Sequence, residues 1–183
     1  MKKLGIVEGF YGSLMSFSQR NAIVESLSNN NLNFYLYAPK EDPFIRKYID
    51  LDHSKEWQEQ FQNFCHNANE KNIHISVGLC PKTNDYGSLA NKINKFKSLG
   101  CNHFAILFDD TEDYDLKSQL EIFNKAENEF KDSEIIFCPS IYTSELIDQN
   151  RDTKGYFASF KNNFPQDKTC LLYTSPSPRD TPQ

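Results

Sequence analysis

Nowhere does this sequence run apolar for anything near the ~20 residues that a membrane-spanning helix requires. The opening Met1-Lys2-Lys3 passes into a short apolar stretch without the apolar region of a signal peptide. A cytoplasmic protein without a membrane partner is expected. Basic clusters are missing as well: 20 Lys and Arg lie scattered among 25 Asp and Glu, for a net charge of −5. No stripe is available to neutralise a phosphate backbone, so no nucleic-acid partner is expected and a neutral, polar small molecule or glycan fits better. Cysteines are few and show no pairing pattern. Cys65, Cys80, Cys101, Cys138 and Cys170 make an odd count without C-x-x-C spacing, which argues against a disulfide framework and a thiolate zinc site and reads instead as small buried apolar residues. Glycine-rich phosphate turns of the G-x-G-x-x-G or G-x-x-x-x-G-K-[ST] type are absent. His53, His66, His74 and His103 show neither H-E-x-x-H nor triad spacing, so none is assigned a catalytic role.

What is present suits one soluble globular domain: 38% of residues are hydrophobic and 14% aromatic. Leu4-Gly5-Ile6-Val7 reads as a short strand, and Ser16 with Gln19 forms a capping box for a helix carrying Ile23 and Leu27. Phe34 to Tyr37 gives a second strand that ends at Ala38-Pro39-Lys40. Trp57, Phe61, Phe64, Cys65 and Ala68 then share one helical stripe. A third strand spans residues 73–79, and Leu89, Ile93 and Phe96 mark a helix closed by Gly100. After a fourth strand at 103–108 come a helix marked by Leu116, Leu120, Phe123 and Phe130, a fifth strand at 134–138, and one more helical stretch between Gly155 and Phe164. Strands recurring at roughly thirty-residue intervals, each followed by an amphipathic helix, indicate a parallel sheet of βα units.

The fourth strand ends in two adjacent carboxylates, Asp109 and Asp110. Two such groups held side by side do not ionise independently, so one can serve as an acid while the other stays charged. A lone Asp-Asp also suits a helix N-cap or half of a magnesium site, with Glu112 and Asp113 nearby. Glu8 and Tyr11, Lys40, and Tyr142 follow other strands. A barrel gathers all such strand ends on one face. Glu41 and Asp42 read as solvated loop charges. An open five-stranded α/β sheet catalysing magnesium-dependent phosphotransfer is the other arrangement that fits these units, and a carbohydrate-binding protein without catalysis is a third reading.

Three segments together narrow the choice: Val7-Glu8-Gly9-Phe10-Tyr11-Gly12, Tyr37-Ala38-Pro39-Lys40-Glu41-Asp42-Pro43 and Phe108-Asp109-Asp110. In order, spacing and strand they resemble the catalytic barrel of glycoside hydrolase family 84, the β-N-acetylglucosaminidases that include protein O-GlcNAcase. Phe137 to Tyr142 resembles the fifth-strand motif of that family. The resemblance implies a (β/α)₈ TIM barrel and a retaining, substrate-assisted hydrolysis of β-linked N-acetylglucosamine through an oxazoline, without cofactor or metal. It implies that Asp109 orients the 2-acetamido group and that Asp110 is the general acid. Gly9 would admit the sugar against its backbone, Lys40 would bind sugar hydroxyls, and Tyr142 would line the acetamido pocket. The partner is a glycan or glycoprotein bearing N-acetylglucosamine. Phe10 and Tyr11 shape the sugar site on this reading, with core packing an equal reading for Phe10.

An eight-unit barrel needs ~250 residues, whereas only about five units precede a change of character. Residues 1–169 are therefore expected to be the N-terminal part of such a barrel, truncated, unable to fold stably and inactive alone. Residues 170–183, with three prolines after Cys170, resemble translated adapter read-through and are expected to be a non-native tail.

Overall fold

The computed structural model describes residues 3–109, 111, 114–141, 155–165 and 168. Five strands, β1 (Gly5–Glu8), β2 (Phe34–Tyr37), β3 (His74–Leu79), β4 (His103–Leu107) and β5 (Glu134–Cys138), alternate with helices α1 (Phe17–Asn29), α2 (Lys55–Glu70), α3 (Tyr86–Ser98) and α4 (Leu116–Glu129), and α5 (Tyr156–Asn163) follows. All four strand pairings are parallel, with registers running from Glu8↔Tyr37 to Leu107↔Cys138. The spatial order is β1-β2-β3-β4-β5. Each strand thus lies beside its predecessor, and the winding never reverses. An open doubly wound sheet has a reversal point where its ligand sits; this arc has none and follows the course of a barrel wall.

The helices begin and end where the sequence provides caps. Ser16 Oγ accepts from the Gln19 N–H at 3.2 Å while Gln19 Oε1 accepts from the Ser16 N–H at 2.8 Å, which is the reciprocal box expected. Gly100, at φ +91°, lets the chain leave α3 in a left-handed conformation that a β-carbon resists.

Period-two alternation divides the strand side chains between two faces. Tyr35, Tyr37, Ile75, Val77, Phe104, Ile106, Ile135 and Phe137 pack into the large cluster under the helices. Phe34, Leu36, Ala38, Ala105, Leu107, Ile136 and Cys138 form a smaller cluster on the opposite, inner face. That inner face is tight at Gly78, where a β-carbon would lie 2.7 Å from both Ala38 Cβ and Leu107 Cδ1. The absence of a side chain there lets β2 and β4 close toward each other above β3.

Two residues, Glu8 read as lying at the strand-end face and Asp42 read as a solvated loop charge, are instead buried. Glu8 falls in the same strand phase as Ile6, which packs on the helix-side cluster. It is fully buried and meets Arg20 of α1 through Nη2–Oε1 at 2.8 Å and Nε–Oε2 at 3.0 Å, while the Tyr35 hydroxyl donates to Oε2 at 2.6 Å. The Arg20 guanidinium also lies over the rings of Phe17 and Tyr37. Asp42, expected to be solvated, is buried too. It accepts from the Tyr37 hydroxyl, from the Phe44 N–H at 2.9 Å, and pairs with His53 Nε2 at 2.8 Å. Burial opposes its ionisation, but the hydrogen bonds from His53, Tyr37 and Phe44 outweigh that and hold its carboxyl below the usual carboxylate range. His53 in turn stacks on the half-buried Trp57, with ring centroids 3.6 Å apart.

Candidate active site

Parallel registers bring the residues after each strand to one edge of the sheet, as a barrel requires. The loop from Lys40 to His53 leaves that edge after β2 and is fixed at several points. Asp42 ties its start to Tyr37 and His53, the Cys80 N–H donates to Ile45 O at 2.9 Å, and the buried Lys92 donates to Leu51 O. Lys40 therefore rises from a braced loop.

From that loop Lys40 reaches across the end of β3 to the end of β4, where its Nζ lies 3.2 Å from Asp109 Oδ2. Both are largely shielded, with side chains 12% and 21% exposed. Lys40 continues the inner phase of Leu36 and Ala38, and Asp109 that of Ala105 and Leu107. The two carboxylate oxygens of Asp109 differ. Oδ2 accepts from the ammonium, whereas Oδ1 is buried with no hydrogen-bond partner among the described residues. A buried oxygen of this kind is a strong acceptor held ready for an N–H or O–H donor. An ammonium beside the carboxylate also occupies the ground where a divalent cation would sit.

Gly9 stands at the corresponding end of β1. A β-carbon built there would meet only Val7 Cγ1, at 3.2 Å, so packing within the described protein does not demand a glycine. Phe10 and Tyr11 beyond it are 50% and 62% exposed among the described residues. Asp110 and Tyr142 lie outside the described residues.

Residues that composition and spacing did not single out also converge here. Thr111 accompanies Ser140, Gln119 and Tyr156 in a hydrogen-bonded chain behind the end of β4. Gln119 had a visible signal: it shares the buried stripe of α4 with Leu116, Leu120 and Phe123, and a polar side chain on such a stripe requires partners.

The chain is similar to known proteins in sequence and fold. A family model described as beta-N-acetylglucosaminidase matches residues 4–174, extending past the Thr169 boundary expected for the native sequence. Protein O-GlcNAcase of Mus musculus is 29% identical over 171 residues, covering 83% of this chain and 19% of the relative. Protein O-GlcNAcase of Rattus norvegicus is 32% identical over 127 residues, covering 66% of this chain and 14% of the relative. The chain thus spans less than a fifth of these relatives. Among solved structures, CpGH84B superimposes with a TM-score of 0.84 at 25% identity, covering 93% of this chain and 33% of that one. An O-GlcNAc hydrolase variant from Thermobaculum terrenum, at 22% identity and TM-score 0.80, covering 93% of this chain and 41% of its own, shares the fold. With the family model matched along nearly the whole chain, the chain belongs to the β-N-acetylglucosaminidase family of glycoside hydrolases, family 84.

Proposed function

We propose that the full-length protein carrying this chain is a retaining β-N-acetylglucosaminidase that removes β-linked N-acetylglucosamine from proteins or glycans by substrate-assisted catalysis. The observation that carries this reading is the asymmetry of Asp109: one oxygen tethered to Lys40, the other buried and without a partner among the described residues. The acetamide N–H of the sugar is a donor of the right kind for that oxygen. Held there, the acetamide turns its carbonyl oxygen toward C1 and attacks it as the C1–O bond to the leaving group breaks. Asp110 gives its proton to the departing oxygen. The resulting oxazolinium spreads positive charge onto its nitrogen, against the Asp109 carboxylate. A water then gives its proton to Asp110 and adds to C1, the ring opens, and the configuration at C1 is retained. Gly9 leaves room at the rim for the sugar, and Lys40, on the same edge, is placed to meet the sugar hydroxyls.

The test is a comparison of leaving groups. A general acid matters most when the leaving group is a poor one, so Asp110→Asn is expected to lose far more activity on an alkyl- or serine-linked sugar than on an activated aryl glycoside, together with the acid-dependent limb of its pH profile. Equal losses on both substrates would take the proton-donor role away from Asp110. In the same assays EDTA is expected to leave the wild-type rate unchanged; strong inhibition would revive a metal-dependent reaction.

A further inference from the structure

Behind the end of β4 the polar groups form one connected chain. The Ser140 N–H donates to the Tyr156 hydroxyl at 3.1 Å, and that hydroxyl donates to Gln119 Oε1 at 2.5 Å. Gln119 Nε2 donates to Ser140 Oγ at 2.6 Å. Ser140 Oγ lies 3.3 Å from Thr111 Oγ1, which itself donates to Phe108 O at 2.9 Å. Either hydroxyl can donate in the contact between Ser140 and Thr111. Gln119, Ser140 and Tyr156 are all buried, and linked hydrogen bonds in a low-dielectric interior strengthen one another.

The ends of this chain matter more than its middle. Phe108 O belongs to the peptide that joins Phe108 to Asp109, and it also accepts from the Thr111 N–H at 3.2 Å. Two donors from Thr111 thus set the plane of the peptide from which Asp109 projects. At the other end Tyr156 opens α5, and its hydroxyl returns to Ser140, beside the end of β5.

We propose that Gln119 and Tyr156 are positioning residues for the reaction: through Ser140 and Thr111 they latch the Phe108–Asp109 peptide to the end of β5 and so hold Asp109 in its productive orientation. Neither touches the substrate. Loss of the latch leaves the sugar-binding groups in place but lets the Asp109 carboxylate drift, and a displacement on the order of 1 Å in a reacting constellation costs up to roughly 10² in rate.

Two variants of the full-length protein test this, with two readouts. Tyr156→Phe removes the hydroxyl that links Ser140 N–H to Gln119. Thr111→Val keeps the side-chain shape at the far, half-exposed end of the chain and loses the hydroxyl, which guards against a Tyr156→Phe protein that does not fold. Each is expected to lower kcat about tenfold to a hundredfold on an aryl N-acetylglucosaminide with KM within about twofold of wild type. Each is also expected to speed amide hydrogen exchange at Thr111 by about tenfold or more, with the β3 and β4 amides still protected. Unchanged exchange at Thr111 in both variants overturns the latch. Faster exchange with unchanged kcat overturns its positioning role. The kinetic arm rests on the glycosidase reading, the exchange arm does not: a wild-type protein without turnover would defeat that reading, and exchange alone would then decide the latch.

Discussion

Asp109→Asn is expected to cut turnover of N-acetylglucosaminides by the full-length protein by roughly 10² to 10³, the range found when one preorganised electrostatic group is removed from an active site. The geometry makes the loss more than that of a charge. Lys40 lies 3.2 Å from Oδ2, and an ammonium cannot accept a hydrogen bond, so the variant amide must turn its oxygen toward Lys40. Its NH₂ group then fills the place of the buried Oδ1. A donor would face the donor of the acetamide, and the positive charge of the oxazolinium would have no counter-charge. Steady-state rates on 4-nitrophenyl N-acetylglucosaminide check this, and a near-wild-type rate for Asp109→Asn would remove Asp109 from the mechanism.

The largest effect on stability is expected from Glu8→Ala. Glu8 and Arg20 are both almost wholly inaccessible, and the variant would strand the guanidinium among Phe17, Tyr35 and Tyr37 with no anion. Removing one member of a buried ion pair costs about 3 to 5 kcal/mol. The Tyr35 hydroxyl would lose its acceptor at the same time. Urea unfolding of the full-length protein measures the difference. A loss below about 1 kcal/mol, the scale of an exposed pair, would show that water reaches Arg20.

Much of this architecture is legible from hydrophobic spacing. The strands expected at 73–79 and 134–138 are found at His74–Leu79 and Glu134–Cys138, and the α2 stripe of Phe61, Phe64, Cys65 and Ala68 is buried as its spacing implies. The shared placement of Lys40 and Asp109 is legible because each follows a strand end, and strand ends share an edge in a parallel sheet. Glu8 was misplaced because proximity to a strand end was weighed above strand phase: two residues from Ile6, it had to face the helices. Arg20 carried the matching signal, lying four residues before Val24 on the buried face of α1. Asp42 offered less, because its partner His53 is brought back by a loop whose course no periodicity describes. The phase of Gln119 marked it as buried, but its link to Thr111 passes through Ser140 and Tyr156, residues joined only by the tertiary fold.

The consecutive strand order bears on how the site comes into being during synthesis. Lys40 and Asp109 are 69 residues apart, and closing a loop of that length in a free chain is slow and entropically costly. Here each strand can dock on the one that left the ribosome just before it, so β2 receives β3 and β3 receives β4 through short local crossovers. By the time Asp109 emerges, its lysine is already fixed two strands away, across β3. The pair can therefore form as soon as the fourth strand docks, in the order of translation.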